Sequence, residues 1–272
     1  MTKVGTVAAI NRYPVKSMQG EAPDQVELDA DGIVGDRTWA LRDVETDKLV
    51  SAKRPRLWRA MLDCRATGTG SVVTVELPDG TSFSIADPKL PLALGEVFGR
   101  EVTIEEAEVP QQGSYASDWP EIEGLTLAGP IDLPTNITGA GRSFIDVEVL
   151  HLLTTASLAA LGQVGPEASD DPRRFRPSIL IDTPDLDGFA EDEWTGRRLL
   201  IGEVELAVGD PTPRCIMTTV EQEGVAAEPG VLRSLAEHHR LTSPLGTFAC
   251  LGSYASVTTP GVVRVGDEIE LV

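Results

Sequence analysis

Short runs of alternating apolar and polar residues, closed off by glycine or proline, dominate this 272-residue chain and limit what it can fold into. Val4, Thr6, Ala8 and Ile10 alternate with small or polar neighbours, the period of two that puts one set of side chains on a buried sheet face. Residues 72–77 lead through Asp79-Gly80 into 81–85, a hairpin signal because glycine accepts positive φ. The same reading predicts strands over 37–42, 59–66, 102–105, 147–153, 178–182, 199–208, 215–220 and 247–257. Helices are few and short. Residues 154–161 form one, with Thr154 as N-cap and Gly162 at its end; 231–240, after Pro229-Gly230, form a second, and 88–97 a third.

Many short strands with 26 Gly and 19 Pro fit a barrel or sandwich better than a doubly wound sheet. No internal repeat and no glycine-rich phosphate loop is present, so nucleotide cofactors gain no support. Residues 111–138, rich in Pro, Gly and Asp, read as a long connector between a middle lobe and the C-terminal half.

Composition excludes several classes of function. The formal charge of −20, from 43 acidic against 23 basic residues, repels phosphate backbones and anionic membranes, so neither nucleic acid nor membrane is expected as a partner. No apolar stretch approaches the roughly 20 residues that span a bilayer, and the first ten residues lack a leader pattern; the expectation is a cytoplasmic protein. Three widely spaced cysteines, Cys64, Cys215 and Cys250, cannot build a disulfide framework, and three histidines are poor material for a zinc site.

Against this acidity, four basic clusters stand out. Tyr13-Pro14-Val15-Lys16-Ser17 delivers an ammonium and a hydroxyl together at a strand end, a useful pair for a phosphate. Gly35-Asp36-Arg37 places a guanidinium after a turn. Arg173-Arg174-Phe175-Arg176-Pro177-Ser178 sets three cations just before the apolar run Ile179-Leu180-Ile181, and arginine suits bidentate oxyanion contacts. Finally, Pro211-Thr212-Pro213-Arg214-Cys215 sets a cation beside a thiol, which favours the thiolate that a metal or a nucleophilic role requires. Cys64 and Cys250 lie in apolar surroundings and read as small buried hydrophobes.

These clusters in this order resemble the MOSC superfamily, named for the C-terminal domain of molybdenum-cofactor sulfurase, and most closely the branch of the mitochondrial amidoxime-reducing component and its bacterial relatives. The resemblance spans nearly the whole chain through YPVKS, GDR, LLTTASLAAL, RFRPSILI, WTGRRLLIGEVEL, RCIMTTV and YASVTTPGVVRVGD. It implies an α+β, mostly β fold: a MOSC β-barrel from residues 1–37 plus 123–272, with a smaller α/β N-terminal-type lobe over 38–122. It implies a molybdopterin-type molybdenum cofactor in the cleft between them, with Cys215 as the metal ligand and catalytic residue. Lys16, Ser17, Arg37, Arg176 and Arg214 match positions that hold its phosphate or pterin, and Thr154, Thr155, Ser178 and Tyr254 match further contact positions. Two departures weaken the transfer of substrate preference: Pro213 stands where relatives often have a polar residue, and Glu221 replaces the Asp that commonly follows TTV.

The activity implied is two-electron reduction of N-hydroxylated compounds such as amidoximes, N-hydroxylated bases and hydroxylamines. No clustered cysteines suggest a built-in iron–sulfur module, so the resemblance implies a separate electron-donor protein, a reductase or an electron carrier, which the acidic surface suits. A molybdopterin carrier, or a sulfur-transfer protein working through Cys215 without reductase turnover, is the alternative. A fold that has lost its cofactor is a third reading, disfavoured by the joint presence of Cys215 and the cations.

Overall fold

In strand Thr2–Ile10 the buried side chains are Val4, Val7 and Ile10, not the even-numbered set that alternation predicts. The cause is two irregularities in register, between Lys3 and Gly5 and between Val7 and Ala9, each turning the strand's inward face by one residue. The computed structural model describes residues 1–107, 113–137, 142–243 and 246–272.

Seven strands close into a barrel. In order around it they are Leu150–Thr154, Ile179–Asp182, Thr2–Ile10, Glu268–Leu271, Arg198–Ile201, Val204–Pro213 and Gly246–Thr259, and the last pairs back onto the first through Leu152 and Ser253. Leu150–Thr154 and Ile179–Asp182 run parallel, as their helical crossover Thr155–Val164 requires. The barrel is filled by inward branched residues, among them Ile10, Leu152, Ile179, Leu199, Ile201 and Leu206. Closure leaves the seven strands without a free edge, and strand Arg240–Ser243 extends the sheet from Gly246–Thr259.

A second, five-stranded sheet has the order Gly129–Pro134, Ser114–Trp119, Lys48–Leu49, Trp39–Asp43, Val102–Glu106. Helix Leu90–Phe98 and a small antiparallel sheet, Arg65–Thr67, Thr74–Glu76 and Ser82–Ser84, share a core with it through Leu41, Met61, Val75, Leu90 and Leu94. The architecture is therefore α+β and mostly β, as expected.

Several segments differ from the sequence reading. Residues 215–220 form not a strand but a 3₁₀ turn, Ile216–Thr219, after the long strand stops at Pro213. Thr218 Oγ1 donates to the Cys215 carbonyl at 3.1 Å and Thr219 Oγ1 to that of Ile216 at 2.7 Å, local bonds that compete with a sheet ladder. Residues 59–66 are likewise a 3₁₀ segment, Arg59–Asp63, followed by strand Arg65–Thr67. The connector over 111–138, whose ends fall outside the described residues, contains the hairpin Ser114–Trp119 with Gly129–Pro134. Helix Thr155–Val164 runs past Gly162 to a C-cap at Gly165.

Candidate functional site

Strand Thr2–Ile10 leaves the barrel at Asn11 and delivers Lys16 and Ser17 between the two sheets. The Lys16 amide is fixed by the Trp39 carbonyl at 2.8 Å, and the Ser17 hydroxyl accepts from the Ala52 amide at 3.1 Å. The turn before strand Trp39–Asp43 brings Arg37 alongside: its amide donates to the Tyr13 carbonyl at 2.8 Å, and its carbonyl accepts from the Phe144 amide at 2.8 Å. The loop ahead of strand Ile179–Asp182 supplies Arg176. Ser17, Arg37 and Arg176 have φ of +69°, +51° and +52°, values that cost a non-glycine residue free energy and cluster where function fixes the backbone.

Tyr13 organises the two guanidiniums. Arg176 lies 3.9 Å and Arg37 5.0 Å from its ring centroid, cation–π distances in a desolvated setting. Arg37 also pairs with buried Asp36, whose other oxygen accepts from the Tyr13 amide at 2.7 Å. Arg176 Nη2 donates to the Met18 carbonyl at 2.7 Å, whereas its buried Nη1 has no partner. Burial lowers the Arg176 guanidinium to about 10, still charged at neutral pH.

From the barrel end, strand Val204–Pro213 presents Arg214 and Cys215. Arg214 is held by the carbonyls of Leu251 (Nε, 2.8 Å) and Phe175 (Nη1, 3.1 Å) and by the imidazole of His151. Burial first, and the Arg214 charge second, keep His151 well below the usual imidazole range, so the ring is neutral and accepts from the guanidinium. Gly252, at φ +77°, leaves room for that ring: a β-carbon there would run into His151 Nε2 and the Leu152 carbonyl. Cys215 is 8% exposed, at the head of the 3₁₀ turn, and within electrostatic reach of Lys53, Arg214 and Tyr254. Burial pushes the Tyr254 phenol up to about 12.

These groups converge on one cleft, about 860 Å³ of empty space partly shared with solvent. Its lining includes Lys16, Ser17, Arg37, Arg176, Ser178, Arg214, Cys215 and Tyr254. Thr154 and Thr155 are not part of it. Thr154 Oγ1 caps helix Thr155–Val164 by accepting from the Ser157 amide and donates to buried Glu191 at 2.6 Å. Thr155 Oγ1 bonds Asp182 and Thr183. Both hydroxyls are therefore engaged in fixing the crossover helix.

The cleft also holds residues that the sequence reading did not name as contacts. Lys53, Asp146, His151, Arg174 and Thr212 line it, and the Thr212 hydroxyl is buried without a partner. Lys53 carried a readable signal, since Ser51-Ala52-Lys53-Arg54-Pro55 again sets a lysine among small residues and proline at a strand end. Arg174 is buried on the carbonyls of Ala168, Thr218 and Ala226, which ties the turn after Cys215 to the 3₁₀ segment Pro172–Arg174. In a chain of charge −20, the described lining carries six cations, Lys16, Arg37, Lys53, Arg174, Arg176 and Arg214, against the carboxylates Asp146 and Glu148. Such a cleft is built to receive an anion. Cys64 and Cys250 stand apart from it, their thiols pushed up to about 12 by burial.

Family models match both parts of the chain: the MOSC N-terminal beta barrel domain over residues 4–119 and the MOSC domain over residues 141–270. The mitochondrial amidoxime-reducing component 1 of Homo sapiens is 28% identical, over 100% of this chain and 84% of its own length. Component 2 of Homo sapiens is 27% identical over 99% and 84%. The molybdenum cofactor sulfurase of Oryza sativa subsp. japonica is 26% identical over 90% of this chain and 32% of its own length.

Proposed function

Because the chain belongs to the MOSC family, which with its relatives supports a molybdenum-cofactor-associated oxidoreductase role, we propose that it reduces N-hydroxylated compounds at a Cys215-ligated molybdenum centre. The observation that carries this reading is the meeting of one thiol with six cations in a single cleft.

The residues present suit a molybdopterin-type cofactor. Arg176 Nη1 and Thr212 Oγ1 are buried polar atoms without partners, of the kind a bound polar group satisfies. Among the described residues no group of three His, Cys, Asp or Glu side chains is placed to hold a bare ion. A lone soft sulfur fits a metal that brings its other ligands with it. Lys16, Ser17, Arg37 and Arg176 would hold the phosphate end, Arg214, Ser178 and Tyr254 the remainder, and Cys215 the metal. Thr154 and Thr155, placed with these by the resemblance, act through the helix they fix.

When bound, the cofactor would supply two-electron reduction with acceptance of an oxygen atom. For an amidoxime the balance is two electrons and two protons in, the amidine and one water out, with cleavage of the N–O bond. The chain's own part is to orient the group, to keep the guanidiniums charged, to fix the Arg214 guanidinium on the Leu251 and Phe175 carbonyls, and to hold the Cys215 backbone through the Thr218 hydroxyl. Electrons would come from a separate reductase or electron-carrier protein docking on the acidic surface. We place the activity in the cytoplasm; no helix among the described residues is long and apolar enough to cross a membrane. Residues 1–37 with 123–272 would act as the barrel part and 38–122 as the smaller lobe, although strand Gly129–Pro134 pairs with Ser114–Trp119.

The test is metal analysis of the parent and Cys215→Ala made in a cofactor-producing host, with oxidation of the chemically reduced protein by benzamidoxime. Near-stoichiometric molybdenum and substrate-driven oxidation, both lost in the variant, are expected. Equal metal in both proteins rejects the ligand; retained metal without any oxidation favours the carrier or sulfur-transfer role.

A further inference from the structure

Lys53 and Asp146 belong to none of the four basic clusters, yet they close the wall of the cleft. Asp146 Oδ1 accepts from Lys16 at 2.6 Å and its Oδ2 pairs with Lys53 at 2.8 Å. Both ammoniums also sit over one ring, 4.8 and 4.9 Å from the Tyr115 centroid, and Lys53 donates to the Tyr115 hydroxyl at 3.1 Å. An ammonium has three N–H donors. Lys16 uses two, on Asp146 and the Phe144 carbonyl, and Lys53 uses two, on Asp146 and Tyr115. Each has a third donor, and both line the cleft.

We propose that Lys53 is a second ligand-facing cation paired with Lys16, that Asp146 is the positioning residue that aims both, and that the pair receives a dianionic, phosphate-type group. This rests on reading the cleft as the site of an anionic cofactor.

The charges facing Lys16 are the Asp146 carboxylate, the Lys53 ammonium and the Arg37 guanidinium. Burial brings Lys16 down to about 8, with Asp146 opposing that fall and Lys53 and Arg37 adding to it. Asp146 is itself held far below the usual carboxylate range by the two lysines, against the upward push of burial. Neutralising it leaves two desolvated ammoniums confronting each other, and the cheapest relief is loss of the Lys16 proton. The deficit caused by Asp146→Asn must then grow as pH rises, because Lys16 is recharged only at low pH. A carboxylate that merely fills space gives a deficit independent of pH. One that competes with the ligand gives tighter binding when removed.

The experiment is calorimetric titration with inorganic sulfate, a dianion throughout the range used, of the full chain made in a host that cannot synthesise the cofactor. Parent, Lys53→Met, Lys53→Arg, Asp146→Asn and Arg176→Ala are compared at pH 6 and pH 8, with circular dichroism certifying each fold. Loss of one charge-assisted contact weakens binding by about tenfold or more, so Lys53→Met falls by that factor and Lys53→Arg recovers most of it. Asp146→Asn binds within about twofold of parent at pH 6 and about tenfold more weakly at pH 8. Sulfate binding that is lost in Arg176→Ala but unchanged in Lys53→Met, or an Asp146→Asn ratio that is flat or favours the variant, overturns this inference and leaves the anion-site reading standing. A parent that binds no sulfate at either pH removes both.

Discussion

Thr154→Ala separates a structural from a ligand-binding role for the segment that opens the crossover helix. In the parent, Thr154 is fully buried and its hydroxyl makes two bonds, accepting from the Ser157 amide at 3.1 Å and donating to Glu191 at 2.6 Å. Loss of the N-cap costs about 1 kcal/mol. Glu191 keeps the Ser157 hydroxyl and loses one of two donors, for about 1 kcal/mol more. The missing methyl and hydroxyl leave a small void in a closed core, again about 1 kcal/mol. The total of about 3 kcal/mol lowers the melting temperature of a chain this size by roughly 6–12 °C. Thr154→Ser keeps both bonds and should lose only about a third of that. Thermal denaturation by circular dichroism, with metal analysis of the same preparations, reads both consequences: reduced stability at unchanged cofactor content. A variant that melts like the parent but has shed its cofactor would falsify the capping argument and return Thr154 to the ligand.

Glu191, buried with one oxygen unpartnered, has its carboxyl pushed up by desolvation against the two hydroxyls that favour its charge. An acid whose folded value is raised stabilises the fold below its unfolded value of 4.5 and loses that contribution as pH climbs through the folded value. Denaturant midpoints of the parent should thus fall over that window relative to Glu191→Gln, and parallel profiles would contradict it. Gly252→Ala should cost more than about 1 kcal/mol, since φ of +77° and the His151 ring both oppose a β-carbon. Urea titration measures it, and a neutral outcome would mean that the ring does not occupy that notch.

Much of the site was legible because each basic cluster stands at the end of a strand, next to proline or glycine, where local sequence alone marks a turn. What escaped needed partners distant in the chain. Lys53 and Asp146 acquire meaning only from each other and from Lys16, which the fold brings together from three separate connections. Thr154 and Thr155 are hard to place from sequence for the converse reason: a hydroxyl at a helix start looks alike whether it caps the helix or meets a ligand, and the bonds to Glu191 and Asp182 are visible only in the fold. The hairpin in the supposed connector was hidden by Pro130 and Pro134. Both lie in the edge strand Gly129–Pro134, where a missing amide donor costs little.

The position of Thr2–Ile10, between Ile179–Asp182 and Glu268–Leu271, sets the schedule on which the molecule can assemble. The earliest of the seven barrel strands must wait for the latest before its flank is paired, so the barrel cannot shut until Glu268–Leu271 has been made. Contacts this far apart along the chain make folding slow, and the waiting edge is open to other chains. Cofactor loading, if it needs the finished cleft, then follows closure of the barrel.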